Sequence, residues 1–316
     1  MRKLFGFLIG IGVIALIAGG VLIAVGYFNG ENSAKYVTEM IELNDSFTDF
    51  NIDLKTSNIE FIKSDDGKNK IFFKEIENIR STASVQNNTL VIKQTDSRPW
   101  YKKMFFFNYF QNTEIKVYLT ETNYANMTCS SNTGNIKINY DFTFTALTAK
   151  NNTGSISIYC NVTGGINADN DTGSVNISDV TTKSINIEAD TGSINLNNLN
   201  VTDDIRIDNE TGSIKIENSK CANLYAKAST GSIKVTNSSM DSNMDLKTST
   251  GSIKLDKVET NTAYLKSTTG SISGTFTSPK IFSAKSKTGS VNVPSSASGG
   301  LVVVETSTGS INLSIA

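Results

Sequence analysis

Hydrophobic and polar residues alternate through residues 126–316 in a pattern that repeats every 19 or 20 residues. Each repeat contains a Thr-Gly pair followed by Ser or Asn and then by Ile or Val. Apolar residues stand seven and five positions before the glycine and two and four after it, as Ile185, Ile187, Ile194 and Leu196 do around Gly192. Strict alternation predicts two short strands per repeat, each with one buried face. The ten glycines are Gly134, Gly154, Gly173, Gly192, Gly212, Gly231, Gly251, Gly270, Gly289 and Gly309.

Two strands of about five residues cannot bury an apolar face by themselves, so successive repeats are expected to stack with equivalent strands in parallel. The pattern therefore predicts an all-β fold, a single-stranded β-solenoid (parallel β-helix) with coils of 19–20 residues. The glycine is predicted at a corner with positive φ. The threonine before it shares the inward phase, which predicts a buried ladder of hydroxyls that satisfies polar groups at the corner.

The repeat continues upstream in degenerate form. Phe50, Ile52 and Leu54 precede Ser57, which stands in place of the glycine. Residues 71–74, 90–93 and 115–119 look like strands with irregular connections, so residues 36–125 are predicted to form an N-terminal β cap region with an aromatic loop at 98–110. Residues 126–316 form the predicted solenoid. No segment after Leu313 covers its far end, which is either blunted by its own loops or a site of self-association.

An uncharged run at residues 4–28 follows Arg2 and Lys3. At about 1.5 Å per helical residue it can cross a ~30 Å hydrocarbon core. The two positive charges predict a cytoplasmic N-terminus, a single-pass anchor at 1–28 in the cell membrane, a linker at 29–35 and a solenoid outside the membrane, on the extracytoplasmic side. The alternative is a cleavable signal peptide ending near Ala24 and Gly26, but the apolar run is long for one.

Composition excludes several classes of function. The chain of 316 residues has no histidine, which removes Ser-His-Asp and Cys-His nucleophiles and the commonest zinc ligand. It has 29 Lys+Arg against 30 Asp+Glu, and this balance argues against binding to nucleic acid. Cys129, Cys160 and Cys221 show no regular spacing, so no disulfide framework is predicted.

A short basic N-terminus, one apolar run, the strand Ile115-Lys116-Val117-Tyr118-Leu119 and serial Thr-Gly-Ser-Ile repeats together resemble a known family. The chain is similar over residues 36–316 to the bacterial membrane-anchored "putative adhesin" domain of unknown function, the LiaG-like proteins of Gram-positive bacteria. The resemblance implies a β-solenoid on the cell surface that is associated with cell-envelope stress. Thr120 departs from the Leu-Pro expected in many relatives, which affects only the local turn.

Stacking of the coils would align the outward-facing charges into columns. Four and two residues before the glycine, three consecutive repeats carry six carboxylates, which repel one another about 4.8 Å apart unless something offsets their charge. A divalent cation such as Ca²⁺ is one candidate, Arg206 with Lys150 and Lys227 is another, and a merely solvated face is the alternative. The carboxylates are Asp169, Asp171, Glu188, Asp190, Asp208 and Glu210.

The column four residues before the glycine then becomes basic. Its next four members are predicted either to bind a repeating polyanion such as a cell-wall polymer or to be an ordinary solubilising stripe. They are Lys227, Lys247, Lys266 and Lys285.

An aromatic segment interrupts the cap region and contains the only tryptophan. Aromatic side chains with two lysines, close to the anchor, predict contact with the bilayer interface; the alternative is a plug over the solenoid end. The residues are Trp100, Tyr101, Lys102, Lys103, Phe105, Phe106 and Phe107.

These features predict a non-enzymatic, membrane-tethered surface protein that binds a cell-wall polymer or an envelope protein, in adhesion or envelope stress. No cofactor other than Ca²⁺ is expected. A polysaccharide-processing β-helix enzyme and an accessory subunit of a stress-sensing system are the alternatives. Near-uniform coils without long inserted loops argue against the enzyme, because nothing builds a cleft.

Overall fold

The computed structural model describes residues 36–100 and 113–316, which form two β-sheets. Strands that follow the Thr-Gly corners belong to what we call the short-strand sheet, and strands that precede them belong to the long-strand sheet. The short-strand sheet contains β1 (Tyr36–Leu43), β3 (Asn58–Lys63), β4 (Asn69–Ile76), β7 (Glu114–Leu119), β9 (Ile136–Ile138), β11 (Ile156–Ile158), β13 (Val175–Ser178), β15 (Ile194–Asn197), β18 (Ile214–Glu217), β20 (Ile233–Thr236), the start of β22 (Ile253–Thr269), β23 (Ile272–Phe276), β25 (Val291–Asn292) and β27 (Ile311–Ile315). The long-strand sheet contains β2 (Asp49–Leu54), β5 (Ile79–Gln86), β6 (Thr89–Asp96), β8 (Asn123–Thr133), β10 (Thr143–Thr153), β12 (Asn161–Thr172), β14 (Thr181–Thr191), β16 (Asn200–Val201), β17 (Asp204–Thr211), β19 (Lys220–Thr230), β21 (Ser239–Thr250), the rest of β22, β24 (Lys280–Thr288) and β26 (Gly300–Thr308).

Equivalent strands of successive repeats pair in parallel and in register, which confirms the predicted β-solenoid. Ile194 pairs with Val175 of the preceding coil and with Ile214 of the following one. In the long-strand sheet, Ile185 and Ile187 pair with Ile205 and Ile207 in the same way. The inward-facing residues of both sheets form one continuous buried cluster from Phe47 to Leu313.

The Thr-Gly corner is where adjacent coils come closest. All ten corner glycines have φ between 127° and 152°, a region that side chains disfavour. The N–H of nine of the ten glycines, all but Gly289 in the outermost coil, bonds across the stack, as when Gly192 donates to the carbonyl of Thr211 at 2.8 Å. A Cβ on Gly192 would overlap the carbonyl group of Gly173 in the next coil. Glycine is therefore required twice at this corner, by conformation and by space.

The predicted inward hydroxyl ladder of the corner threonines is wrong. Nine of these threonines are exposed and Thr133 is half-buried, because the turn into the glycine interrupts the strand alternation. The residue three positions before the glycine is inward instead, and in six coils it donates a hydrogen bond to the glycine carbonyl of a neighbouring coil at 2.9–3.1 Å. These donors are Asn151, Asn209, Thr248, Ser267, Ser286 and Thr306.

A second turn, which was not predicted from the sequence, returns the chain from the short strand to the next long strand. Asn198, Asn218 and Asn237 occupy it with φ of 54°, 51° and 45°, a conformation that asparagine tolerates. Their side-chain amides link neighbouring coils: Asn198 Nδ2 donates to Asp179 Oδ1 at 2.6 Å. An asparagine or aspartate six residues after four of the glycines is the sequence signal.

The N-terminal end of the stack contains coils that are out of chain order. β2 and β3 form the degenerate repeat, with Ser57 directly against Gly134, and they pair in parallel with β8 and β9 on one side. On their other side lie β6 and β7. Antiparallel pairing of β5 with β6 and of β4 with β7 then covers this end, and β1 extends the sheet beyond β4.

Buried polar side chains close the corner at the same end. Gln94 Oε1 accepts the N–H groups of Lys55 and Thr56 at 2.9 and 2.7 Å. Its amide nitrogen donates to Ser57 Oγ at 2.9 Å and to Glu75 at 2.7 Å. Gln94 thus supplies the hydrogen bonds that a further coil would otherwise provide.

The C-terminal end is also out of chain order. β26 and β27 insert between the coil that ends in β23 and the coil of β24 and β25, so Gly309 lies between Gly270 and Gly289. The last repeat of the sequence is therefore not the last coil of the stack. The outermost long strand is β24, where Lys285 and Lys287 are exposed, and its partner sheet ends in the two-residue β25. Lysines and a short edge strand are common means of blunting an open edge.

The three cysteines are free and buried. Burial raises the pKa of Cys129, Cys160 and Cys221 to about 12, because a thiolate in an apolar interior is poorly solvated. The apolar run at residues 4–28 lies outside the described residues. Within residues 36–100 and 113–316, no helix is long and apolar enough to span a membrane.

The corner geometry predicts a large cost for one methyl group. Gly231→Ala places a Cβ against the carbonyl of Gly212 at a φ of 148°, and we expect a loss of about 3 kcal/mol or more in the free energy of unfolding. Gly67→Ala is the matched control, because Gly67 also has positive φ but no atom within 4 Å of the added Cβ. The control should lose about 1–2 kcal/mol. Urea denaturation of both variants measures the difference, and equal losses would contradict the packing argument.

The revised polar ladder predicts opposite behaviour for two nearby threonines. Thr248→Val removes the 2.9 Å hydrogen bond that the buried Thr248 hydroxyl donates to the half-buried Gly231 carbonyl, so we expect a loss of about 1–3 kcal/mol in the free energy of unfolding. Thr250→Val, at the exposed corner position, should change the unfolding free energy by less than about 0.5 kcal/mol. Thermal melts compare the two variants. A larger loss for Thr250→Val than for Thr248→Val would instead support the sequence prediction that the corner threonines form the buried hydroxyl ladder.

Candidate functional site

The outer face of the long-strand sheet carries the predicted charge columns. Residues four positions before each glycine pair in register along the stack, so three of the six predicted carboxylates stand in one column, which we call the acidic column. Asp169 pairs with Glu188, and Glu188 pairs with Asp208. The carboxylates two positions before the glycine, Asp171, Asp190 and Glu210, are exposed at the same coils.

Lysines offset the charge at both ends of the acidic column. Lys150 Nζ lies 3.1 Å from Asp169 Oδ2, and Lys227 Nζ lies 3.0 Å from Asp208 Oδ2. Glu188 lies between these two pairs and has no ion pair among the described residues. Arg206, expected to offset the column, instead pairs with Asp204 at 2.6 Å. No three carboxylate or thiol groups in residues 36–100 and 113–316 converge on a point where they could hold a metal ion. The cation site stays a prediction.

The predicted column of four lysines is wrong in its last member. Lys227, Lys247 and Lys266 are neighbours in register. Because the last two coils are out of chain order, Glu305 stands between Lys266 and Lys285. The basic column therefore contains three consecutive lysines, and a carboxylate ends it.

A second lysine column lies on the outer face of the short-strand sheet, three residues after the glycine. Lys215, Lys234 and Lys254 pair in register there. Alignment of the repeats on their glycines contains this signal, but the interpretation of the sequence considered only the positions before the glycine. We call the two columns together the basic belt, which consists of Lys227, Lys247, Lys266, Lys215, Lys234 and Lys254.

A shallow groove of about 240 Å³ runs along the long-strand sheet where the acidic and basic columns meet. The Arg206 guanidinium lies 4.2 Å from the centre of the Tyr225 ring on one wall. Asp245 follows on the same wall and accepts a hydrogen bond from Lys247 at 2.7 Å. Asp208 and Lys227 form the opposite wall. The groove thus presents aromatic and charged groups in rows parallel to the stack.

A second cavity, of about 580 Å³, lies near the C-terminal end beside a buried lysine. Lys280 is 2% exposed and lies 3.1 Å from Glu259. Burial opposes ionisation of Glu259, but hydrogen bonds from Ser278, Thr277 and Lys280 outweigh burial and lower its pKa. These contacts neutralise the buried ammonium group and tie the turn at residues 277–280 to the preceding coil.

Coils of this length, cornered on Thr-Gly and stacked in two parallel sheets, match one family model over residues 47–256 and 200–316. The model is that of Toastrack DUF4097. The chain belongs to this Toastrack family. No curated protein matches it.

Several solved structures resemble this Toastrack chain at low sequence identity. A "putative adhesin" from Parabacteroides merdae is 13% identical, with 89% of this chain and 96% of that chain covered and a TM-score of 0.47. A "putative adhesin" from Bacteroides fragilis is 14% identical, with 90% and 98% covered and a TM-score of 0.42. A "putative lipid binding protein" from Parabacteroides distasonis is 14% identical, with 87% and 96% covered and a TM-score of 0.36.

The aromatic segment of the Toastrack chain is only partly visible. Tyr101, Lys102, Lys103, Phe105, Phe106 and Phe107 lie outside the described residues. Trp100 is described and is 71% exposed. β6 ends at Asp96 and β7 begins at Glu114, and β4 and β5 cover this end of the stack. Contact with the bilayer and the plug both stay predictions.

Because the carboxylates of the acidic column are stacked, we expect the negative charge of Glu188 to destabilise the fold. Glu188→Gln removes the middle of three like charges, so we expect the free energy of unfolding to rise by about 0.2–1 kcal/mol. Asp169→Asn is the control, because it also breaks the pair with Lys150 and should gain less. Thermal melts at low ionic strength measure both, and the gain should shrink at 1 M NaCl.

The same melts in millimolar Ca²⁺ test the cation site. A rise in the wild-type midpoint that Glu188→Gln abolishes would support it, whereas an unchanged midpoint would remove it.

Proposed function

We propose that this chain is a membrane-tethered surface protein that binds an anionic polymer of the cell envelope through the basic belt. The observation that carries the proposal is the register of Lys227, Lys247 and Lys266, which repeats a positive charge at each of three adjacent coils. Strand spacing puts these charges about 4.8 Å apart at the backbone, along the axis of a stacked scaffold. A linear polyanion lying along that axis can contact each of them in turn.

The three lysines of the belt on the long-strand sheet already have carboxylate partners, but these pairs are easily exchanged. Lys227 pairs with Asp208 at 3.0 Å, Lys247 with Asp245 at 2.7 Å, and Lys266 with Glu305 at 3.7 Å. About half of each lysine side chain is exposed. Exposed ion pairs contribute only about 0–1 kcal/mol, so a polymer with many anionic groups can replace them at small cost. The second column on the short-strand sheet extends the positive surface to the other side of the corner.

Two further features support a membrane-tethered binding role rather than a catalytic one. The uncharged run at residues 4–28 behind Arg2 and Lys3 is the proposed single-pass anchor, with the solenoid outside the cell. The described coils are uniform, and their acidic column lies on an exposed strand face beside a shallow groove rather than in a deep cleft. The adhesin names of similar solved structures belong to those proteins. We propose the same broad role, attachment at the envelope, for this one.

Retention on purified wall teichoic acid tests the proposal. The triple variant Lys227→Gln, Lys247→Gln, Lys266→Gln in the full-length chain, held in detergent micelles, should lose at least tenfold in apparent affinity for the immobilised polymer. Binding of the wild type should weaken as NaCl rises, because the contacts are electrostatic.

The matched control is Lys150→Gln, Lys183→Gln, Lys220→Gln, which makes the same change in net charge outside the belt. This control should bind like the wild type. Equal retention of both triple variants, or equal loss in both, would show that the belt is not the binding surface.

A further inference from the structure

The corner threonine is the least variable exposed residue of the repeat. It is threonine in all ten repeats, although nine of the ten are exposed. The residue immediately before it is exposed in eight repeats and half-buried in two, yet it changes from asparagine to aspartate, glutamate, serine, threonine and lysine along the chain. Exposed residues that serve only the fold are normally free to vary in this way. The corner position therefore has a requirement that its neighbour does not have.

The fold explains the other two residues of the Thr-Gly-Ser corner but not the threonine hydroxyl. Glycine is required by φ and by the neighbouring carbonyl. In two coils the serine Oγ accepts a backbone N–H of a neighbouring coil, as Ser232 does from Ser252 at 3.3 Å. Threonine contributes its backbone carbonyl to the glycine N–H of a neighbouring coil, which any residue could do. Within the described part of the chain, none of the ten threonine hydroxyls has a hydrogen-bond partner.

The ten hydroxyls form a regular surface. Thr211 pairs in register with Thr230, and Thr230 with Thr250, so the hydroxyls recur at about the 4.8 Å strand spacing. Nine such intervals make a column about 43 Å long. The glycines, which have no side chain, separate this column from the parallel column of serines. We call this uncharged strip, a row of glycines between rows of Thr and Ser, the hydroxyl trough.

We propose that the hydroxyl trough binds an extended polysaccharide chain that lies along the solenoid axis. Each threonine hydroxyl can donate one hydrogen bond and accept others, as sugar hydroxyls also do. Pyranose rings of an extended glycan recur at intervals close to the coil spacing, so the same contact can form at successive coils. The threonine methyl groups meet the apolar C–H faces of the rings. Many weak contacts on one rigid array add to useful avidity.

This site goes beyond the proposed function, because it is uncharged and needs no lysine of the basic belt. The two surfaces respond differently to salt. Binding at the belt should weaken as NaCl rises, whereas binding at the trough should persist, because hydrogen bonds between neutral hydroxyls are not screened. Measurement at 0.5 M NaCl therefore isolates the trough from the belt.

The test compares two isosteric changes in three adjacent coils of the full-length chain in detergent micelles. Thr211→Val, Thr230→Val, Thr250→Val keeps the shape and β-branching but removes the hydroxyls. Thr211→Ser, Thr230→Ser, Thr250→Ser keeps the hydroxyls. The probes are insoluble cellulose, chitin and purified peptidoglycan sacculi, with co-sedimentation at 0.5 M NaCl as the readout. We expect the wild type to sediment with at least one probe, the valine variant to bind at least tenfold more weakly, and the serine variant to stay within threefold.

Thermal melts of both triple variants separate binding from stability. Unchanged midpoints together with the valine-specific loss support the site. Wild-type protein that sediments with none of the three glycans would overturn the proposal, and so would a valine variant that binds like the wild type. A valine variant that melts well below the serine variant would also overturn it, because the hydroxyls would then have a structural role. None of these outcomes bears on the lysine variants tested with teichoic acid.

Discussion

The contact between backbones at the Thr-Gly corner determines the rest of this structure. Successive coils approach there until only a hydrogen atom fits on the glycine Cα, and the glycine N–H bonds to the next coil. A contact this close allows no slippage of one coil against the next, because a shift of one residue would bring a side chain into the gap. The in-register ladders of Ile, Leu and Val above and below the corner follow from it. Side chains in the buried column beside the corner donate hydrogen bonds to six of the glycine carbonyls.

Because backbone contacts fix the register of the coils, the outward-facing side chains are not needed to set it. These side chains can therefore form rows of like charged or hydroxyl groups along the stack. The acidic column, the basic belt and the hydroxyl trough occupy different outward positions of the same coils, and each is a row of like groups at the strand spacing. Such rows suit linear ligands better than compact ones, because a compact ligand could contact only one or two members. Both binding proposals depend on this geometry, in which a linear ligand lies along a row of like groups.

Much of the fold was predictable from periodicity, including the degenerate coil at Ser57, because inward ladders require apolar residues at fixed positions. Two errors have physical causes. The corner threonines were placed inward because strict alternation was carried through a turn that breaks it. Lys285 was placed beside Lys266 because uniform repeats carry no information on which coil neighbours which: the strand of Glu305 fits between them equally well. The lysine column after the glycine was visible in the sequence but not considered. The cap strands depend on non-repeating contacts, such as those of Gln94, which no period can reveal.

The displaced coil at the C-terminal end affects how the chain can reach its native state. Because β26 and β27 lie between coils made earlier, the solenoid cannot be completed by adding coils one after another as the polypeptide emerges. The coil of β24 and β25 can take its place at the end of the stack only after β26 and β27 have paired beneath it. Once in place, β26 and β27 are paired on both sides, so they cannot fray as the outermost strands of an open stack can.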